Sequence, residues 1–472
     1  VFRDSHHSIE AKKISDKIKV IQTGCNGICQ LGPVATVYPE GVLYTKLQPS
    51  YVDRIVEEHL INATYVDDFV YKDSQTGKSI HSIDDIPFFK DQVKFARKLT
   101  GIIDPEKIEE YIGADGYSSL AKALTQNAPD GVIKIIKDSG LRGRGGGGFP
   151  TGLKWELAAK EKPKDGMKYV ICNADEGDPG AFMDRSQLEG DPHSVIEGMI
   201  IAGYSIGASH GYIYCRAEYP LAIDRVEIAL EQARKIGLLG QNILNTSFDF
   251  DIEVRMGAGA FVCGEETALI SSLQGNRGEP KPKPPFPAQE GVWEAPTIVN
   301  NVETFGNVPP ILKYGADYFN KMGTEKSKGT KIFALAGAVK NVGLIEVPMG
   351  ISLGKIIFDI GGGIIDDKEF KGAQIGGPSG GCLPRKHLNI PIDYESLKGV
   401  GAMMGSGGLV VMSEDTCMVD LAKFFMEFIQ DESCGKCPPC RIGTKKMLEI
   451  LQRISEGKGE ESDIEELITL GE

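Results

Sequence analysis

The sequence predicts a multidomain α/β chain, and three observations predict it. Its 472 residues exceed the roughly 100–200 of a single domain and suggest about three or four. Between about residues 119 and 310, glycine-rich loops alternate with short β-like apolar runs, the pattern of open α/β sheets. After that the pattern changes twice, first to a second β-rich unit and then to amphipathic helices. With 41% hydrophobic and 25% charged residues, the composition is ordinary for a globular protein and excludes wholesale disorder.

From the N-terminus, residues 17–45 read as strand, cysteine turn, strand. Residues 17–21 alternate in polarity, and 34–38 follow Gly32-Pro33 and precede the turn Pro39-Glu40-Gly41. An amphipathic helix over 50–60 begins after Pro49, which completes a small α/β module over 1–70. Residues 71–118 are polar and irregular, a connecting arm. The largest block, 119–325, has predicted strands at 168–171, 211–215 and 250–255 and a helix over 221–236 after Pro220. A β-rich unit over 326–410 opens at 331–335 and carries two glycine turns, 361–363 and 376–381. The tail, 411–472, reads as a helix over 418–430, a cysteine turn, and a helix over 443–455.

Charge narrows the function classes. The chain has 52 Lys+Arg against 66 Asp+Glu, a net charge of −14, and an isoelectric point near 5.2. That excludes nucleic acid or an anionic membrane as its main partner. No run approaches the ~18 apolar residues of a membrane helix. Val1-Phe2-Arg3-Asp4 shows no secretory pattern and no initiator Met, so the chain is expected to begin inside a longer one. Ten cysteines without a secretory signal point to thiols or metal ligands in a reducing compartment, the cytoplasm.

Glycine occurs 58 times, well above the ~7% average. Gly143, Gly145 and Gly148 match G-x-G-x-x-G, but 130–139 before them reads as a helix, whereas a dinucleotide fingerprint follows a strand. Consecutive glycines let backbone approach a ligand, and Arg144 and Lys154 add positive charge nearby. Phe149 and Trp155 flank the loop, unlike a flexible linker, which favours phosphate or flavin binding. Asn173, Asp175, Glu176 and Asp178 follow a predicted strand, where ligands sit in open sheets. Their amide and carboxylate groups suit a flavin edge or ribose hydroxyls; a surface Asx turn is the competing reading. A second glycine turn, with Phe261 and Gly264, feeds a helix whose first turn holds Glu265 and Glu266. Lys283 and Phe286 lie on a stiff Pro-rich stretch, and Asn300, Asn301 and Thr304 supply amides and a hydroxyl. Together these segments suggest one extended ligand groove.

Cys434, Cys437 and Cys440 give C-x2-C-x2-C between two helices, the spacing of an iron–sulfur turn. A zinc knuckle is the competing reading, although it more often uses two separated pairs or His. No cysteine follows Cys440, so Cys417, another residue, or a ligand beyond Glu472 completes the set. Cys25 and Cys29 form C-x3-C; alone they fit a redox or packing role as well as a cluster.

These motifs resemble one family: the FMN-carrying, NADH-oxidising subunits of respiratory complex I, NAD-linked hydrogenases and NAD-dependent formate dehydrogenases. The resemblance spans about residues 120–450. It rests on the glycine loop with its Phe149-Pro150-Thr151-Gly152-Leu153-Lys154-Trp155 sequel, on 172–176 and 263–269, and on 432–441. It implies a modified Rossmann-like FMN-binding domain, a ubiquitin-like β-grasp unit and a helical [4Fe–4S] bundle. Carried over by motif, Gly143, Arg144, Gly145, Lys154, Asn173, Asp175, Gly264, Asn300, Asn301 and Thr304 hold FMN. Phe149, Glu176, Asp178, Glu265, Glu266, Lys283 and Phe286 line the NAD(H) groove, with Phe261 where complex I members tend to have Tyr. Asp178 stands where Glu is common. Cys434, Cys437 and Cys440 ligate the cluster, with the fourth ligand expected past the chain's end. The N-terminal module resembles the second half of a thioredoxin-like [2Fe–2S] ferredoxin, with Cys25 and Cys29 as half of its ligands.

The resemblance implies hydride transfer between NAD(H) and FMN, then single-electron transfer to iron–sulfur clusters. No side-chain acid or base is implied. The expected partners are a small thioredoxin-like [2Fe–2S] subunit and a catalytic hydrogenase or formate dehydrogenase subunit, with ferredoxin added if the complex bifurcates electrons. A non-catalytic nucleotide-sensing scaffold is the alternative from another class.

Overall fold

Eleven strands form three sheets in the structure, a computed structural model that describes residues 1–73, 76–163 and 165–472. The smallest pairs β1 (Ala35–Val37) with β2 (Val42–Tyr44), antiparallel across the 38–41 turn. Next come β3 (Tyr169–Ala174), β4 (His210–Arg216), β5 (Asp251–Gly257) and β6 (Thr297–Asn301), all parallel in the order β5-β4-β3-β6. The last sheet is mixed: β7 (Thr330–Gly337), β8 (Gly343–Pro348), β9 (Phe370–Ile375), β10 (Gly381–Pro384) and β11 (Gly408–Ser413), in the order β10-β9-β11-β7-β8. The fold is therefore mixed α/β, as the alternation of glycine loops and apolar runs predicts.

The parallel sheet positions everything that follows. Central β3 is buried along nearly its whole length, as a parallel strand covered by helices on both faces must be. Because β3 to β6 run the same way, their carboxyl ends share one edge, and the loops leaving them meet there. Helix Pro129–Ser139 starts with proline and stops at Gly140 with φ of 69°. The glycine loop thus joins this helix to Thr151–Lys160 and follows no strand. The almost wholly buried helix Pro192–Ile206 is capped by the Asp191 side chain, which accepts from Ser194 N at 3.2 Å. It crosses helix Val302–Tyr314 at close range, since a Cβ on Gly198 would lie 2.3 Å from Phe305 O.

Several local expectations change. Residues 17–21 form no strand: Ile18 and Val20 pack against Ile9, Val52 and Val56 instead. Their alternation serves packing on two helices, one of which, Phe2–Ala11, gave no clear sequence signal. β1 takes its partner from the following hairpin strand. The 71–118 arm is polar on average yet anchored at both ends: Phe88 and Phe89 enter the core of the mixed sheet, and Phe95, Ile103 and Ile108 enter that of the parallel sheet. The tail adds a third helix, Glu461–Gly471. Among the described residues no helix is long and apolar enough to cross a membrane.

Two buried carboxylates bind the units together. Glu346 on β8 accepts from Ala96 N at 2.8 Å, Arg97 N at 3.0 Å and Thr330 Oγ1 at 2.6 Å. Glu303, in the first turn of Val302–Tyr314, is ion-paired with Lys331 on β7 and accepts from Ile332 N at 2.9 Å. Both members of that pair are essentially inaccessible to solvent. Removing one partner strands a charge in the interior, at a cost of about 3–5 kcal/mol. Lys331→Met should lower the urea-unfolding free energy by that amount, and adding Glu303→Gln should recover a large part. A Lys331→Met protein as stable as its parent would contradict this role.

Candidate functional site

The carboxyl edge of the parallel sheet gathers most of the residues singled out in the sequence. Beyond β3, Asn173 donates from Nδ2 to Gly264 O at 2.9 Å and accepts Asp175 N at 3.1 Å, so the 173–177 and 261–265 segments face each other. Asp175 is 1% exposed, and neither of its carboxylate oxygens has a hydrogen-bond partner in the protein. Burial lifts its carboxyl to about 7; Arg216 opposes the shift, and Glu218, Glu432 and Asp178 add to it. Glu176 has a positive φ of 40° and turns inward to accept Asp184 N at 2.8 Å and Arg185 N at 3.0 Å. It thereby caps helix Met183–Gly190, and burial raises its carboxyl to about 7 as well.

The glycine loop lies against this edge. Gly145 backs onto Asn301, whose Nδ2 donates to Asp184 Oδ2 at 2.5 Å and whose Oδ1 caps the following helix by accepting Glu303 N at 2.9 Å. Gly147 faces open space, where a Cβ would meet no atom within 4 Å. Gly143 accepts the Tyr394 hydroxyl at 2.7 Å. Arg144 departs from the simplest expectation. Its fully buried guanidinium donates to the carbonyls of Arg142, Lys328 and Thr330, and its N–H donates to Thr304 Oγ1 at 2.9 Å. Its charge therefore holds the loop in shape. Lys154 carries the accessible cation, donating to Val299 O at 2.9 Å near Glu266 at 3.5 Å. Asn300 is buried and accepts Trp155 Nε1 at 3.0 Å.

The 265–286 segments and Phe149 add charged and aromatic side chains. Glu265 caps helix Glu266–Leu273 through Thr267 N and Ala268 N. Lys283 joins both acids, at 3.1 Å to Glu265 and 2.6 Å to Glu266. Phe149 and Phe286 are 46% and 53% exposed, open aromatic faces of the kind that stack on nucleotide bases. The residues fit a flavin in kind: an open glycine cradle, a buried carboxyl lacking partners, and an adjacent ammonium.

Comparison with known proteins decides the family. Residues 136–310 match the family description "Nuo51 FMN-binding domain", and residues 420–472 match "NADH-ubiquinone oxidoreductase-F iron-sulfur binding region". The chain is 61% identical over 383 residues to NADP-reducing hydrogenase subunit HndC of Solidesulfovibrio fructosivorans, covering 81% of this chain and 77% of that protein. The chain belongs to this family of NADH-oxidising, FMN-binding subunits. Within the family it is also 43% identical to an NADH-quinone oxidoreductase subunit of Escherichia coli, over 77% of this chain and 81% of that one. A solved NAD+-reducing [NiFe]-hydrogenase in the H2-reduced state aligns over 99% of this chain and 76% of its own, at 30% identity and a TM-score of 0.70. As a member of the family, the chain is an NAD(H)-dependent flavin iron–sulfur oxidoreductase subunit.

The family's iron–sulfur region corresponds to the cysteine turn between helices Met418–Asp431 and Thr444–Ser455. Cys434, Cys437 and Cys440 are free and none is buried. The turn does not draw them together: among the described residues no three His, Cys, Asp or Glu side chains sit at metal-holding distance. Ser433 Oγ lies 3.2 Å from Cys440 Sγ. As a donor set, three accessible thiols on one turn fit a [4Fe–4S] cluster in kind. Three contacts tie the turn to the flavin segments: Phe261 N to Glu432 at 2.9 Å, Arg277 to Cys434 O at 2.8 Å, and Lys436 to Pro280 O at 2.6 Å. Phe261 also meets Phe428 edge-on at 5.1 Å. Cys25 and Cys29 are free and exposed beside the buried Arg97, which donates to Cys25 O at 3.1 Å; no third ligand joins them among the described residues.

Sequence reasoning missed Asp184, Glu303, Tyr394, Ser406 and Glu432. Tyr394 and Ser406 reach the site from the mixed sheet's unit, 251 and 228 residues from their partners, so local spacing carried no signal. Asp175 also sets a pH dependence. A carboxyl raised from 3.8 to about 7 by folding costs no stability below its unfolded value, costs more as pH rises to 7, and is constant above. Flavin-free Asp175→Asn should match its parent near pH 4 and exceed it by on the order of 4 kcal/mol at pH 8. Urea titrations at both pH values check this; a gain that does not grow with pH would refute it.

Proposed function

We propose that this chain is the NADH-oxidising subunit of a hydrogenase-type complex, exchanging hydride with NAD(H) at an FMN held on the carboxyl edge of the parallel sheet. The observation that carries the reading is Asp175: a buried, partnerless carboxyl packed against Gly264 of a second ligand-type loop, on the sheet edge where the glycine loop backs onto Asn301. FMN, when bound, supplies the atom that accepts or returns a hydride and then parts with electrons singly.

The protein's own contribution is orientation and electrostatics. Gly143, Gly145 and the rest of the loop offer backbone to the phosphate, with Lys154 as the accessible cation and Arg144 keeping the loop closed from behind. Asn173, Asp175, Asn301 and Gly264 would hold the flavin, with Asn300 and Thr304 supporting it through their buried contacts to Trp155 and Arg144. Asp175 keeps its proton to about pH 7 and so can donate as well as accept there. Phe149, Phe261 and Phe286 supply aromatic faces to the dinucleotide, and Glu265, Glu266 and Lys283 form an ionic clasp at its outer end. Glu176 acts through the helix it caps, and Asp178 lies at the groove wall. Cys434, Cys437 and Cys440 would hold [4Fe–4S]; Cys25 and Cys29 would supply half of a [2Fe–2S] site.

The unit boundaries follow the same reading: a thioredoxin-like module over 1–70, an arm over 71–118, a flavin domain over 119–325, a β-grasp unit over 326–410 and a cluster domain over 411–472. The mixed five-stranded sheet supports the β-grasp label. Greater identity to the hydrogenase relative than to the quinone oxidoreductase one favours a hydrogenase-type over a quinone-linked complex, with a formate dehydrogenase complex as the alternative. Its partners are then a small thioredoxin-like [2Fe–2S] subunit and a catalytic hydrogenase subunit, in the cytoplasm, with ferredoxin added in a bifurcating complex. In FMN-loaded protein under anaerobic conditions, NADH should bleach the flavin band at roughly 450 nm and support turnover with an artificial acceptor. Absence of bleaching despite stoichiometric FMN would sink the oxidoreductase reading and leave the nucleotide-sensing scaffold.

A further inference from the structure

Two glycine segments of the mixed sheet's unit, 376–381 and 405–408, press on the glycine loop and on Asp178. A Cβ on Gly146 would lie 3.3 Å from the Gly405 carbonyl carbon, and one on Gly405 would lie 2.3 Å from Gly376 Cα. Three backbone segments are therefore stacked with no side chain between them. Asp178 sits in the same seam. Ser406 Oγ donates to Asp178 Oδ2 at 2.6 Å, and a Cβ on Gly377 would come within 2.5 Å of Asp178 Oδ1. The carboxylate is thus held on one side by a hydroxyl and on the other by a position that only glycine leaves open.

We propose that Ser406 is a positioning residue of the nucleotide groove, fixing the Asp178 carboxylate so that its other oxygen accepts a hydroxyl or amide N–H of NAD(H). The proposal rests on the reading of 173–178 as part of that groove. It also accounts for the shorter acid at 178. A glutamate would carry its carboxyl one methylene further, into the space that Gly377 and Ser406 close. Burial raises the Asp178 carboxyl and the Ser406 hydroxyl pulls it down, so the same contact that aims the group favours its charged, accepting form. Ser406 lies just before β11 of the mixed sheet and Asp178 just after β3 of the parallel sheet, so the mixed sheet's unit forms a wall of the groove and sets how far the acid reaches.

The test uses the FMN-loaded full chain, with NADH and NAD+ as ligands and an artificial electron acceptor. Ser406→Ala should raise the NADH KM and the nucleotide Kd about tenfold, the effect of losing one hydrogen bond to a charged group. Its kcat should fall by less than about threefold, and its FMN Kd should stay at the parent value. Ser406→Thr, which keeps the hydroxyl, should restore nucleotide binding. Gly377→Ala should reproduce the Ser406→Ala signature, because its methyl displaces the same carboxylate. In the cycle with Asp178→Asn, the two losses should fall well short of additive. A Ser406→Ala protein that melts earlier but binds nucleotide like its parent would overturn the proposal. If Asp178→Asn itself leaves nucleotide binding unchanged, the groove reading at 178 fails instead. If Asp178→Asn weakens binding and Ser406→Ala does not, Ser406 alone is refuted.

Discussion

The Glu303–Lys331 pair is the contact on which the rest of the arrangement depends. Glu303 opens the helix that leaves β6, and Lys331 lies on the first strand of the mixed sheet, so one buried ion pair joins the two sheets. Burial alone would drive the Glu303 carboxyl toward its neutral form; Lys331 and Arg144 oppose this. Arg144, two residues into the glycine loop, places its guanidinium on the Lys328 and Thr330 carbonyls immediately before Lys331. The glycine loop, the β6 edge and the mixed sheet are therefore fixed against one another by charges that water does not reach. Such groups specify a geometry strongly because any shift leaves one of them unpaired.

Around that fixed point the chemistry sorts by depth. Inner carboxylates, Asp175, Glu176 and Asp184, are all raised by burial and face amides, helix N–H groups or nothing. Outer ones, Glu265 and Glu266, share Lys283 at the surface. The cysteine turn is clasped to the same 261–280 segment, so the two redox-bearing parts of the chain share a wall.

The parallel sheet and its helices were legible because their periodicities are local: the helix over 221–236 and the helix before the glycine loop fall nearly where the apolar spacing puts them. The glycine loop, the 173–178 segment and the 261–266 turn stand out in the sequence for the same reason, and the fold brings them to one sheet edge. What was not legible depends on partners distant in sequence. The alternation at 17–21 imitates a strand because packing on two helices also selects alternate residues. Arg144 reads as a ligand cation because the carbonyls that absorb its charge lie 184 and 186 residues away. The three cysteines read from spacing as three of a cluster's ligands, whereas spacing fixes only their order on the turn.

The tail differs from the rest in one respect with consequences for local stability. Helix Met418–Asp431 has no fully buried residue, although Phe424, Phe425 and Phe428 lie on it. A segment with so little buried apolar surface opens at far lower free energy than the sheet core. Its hold on the body of the protein is the few polar clasps and one aromatic pair around Phe261. The tail is therefore the part of the chain expected to lose amide-exchange protection first, while the parallel sheet stays folded.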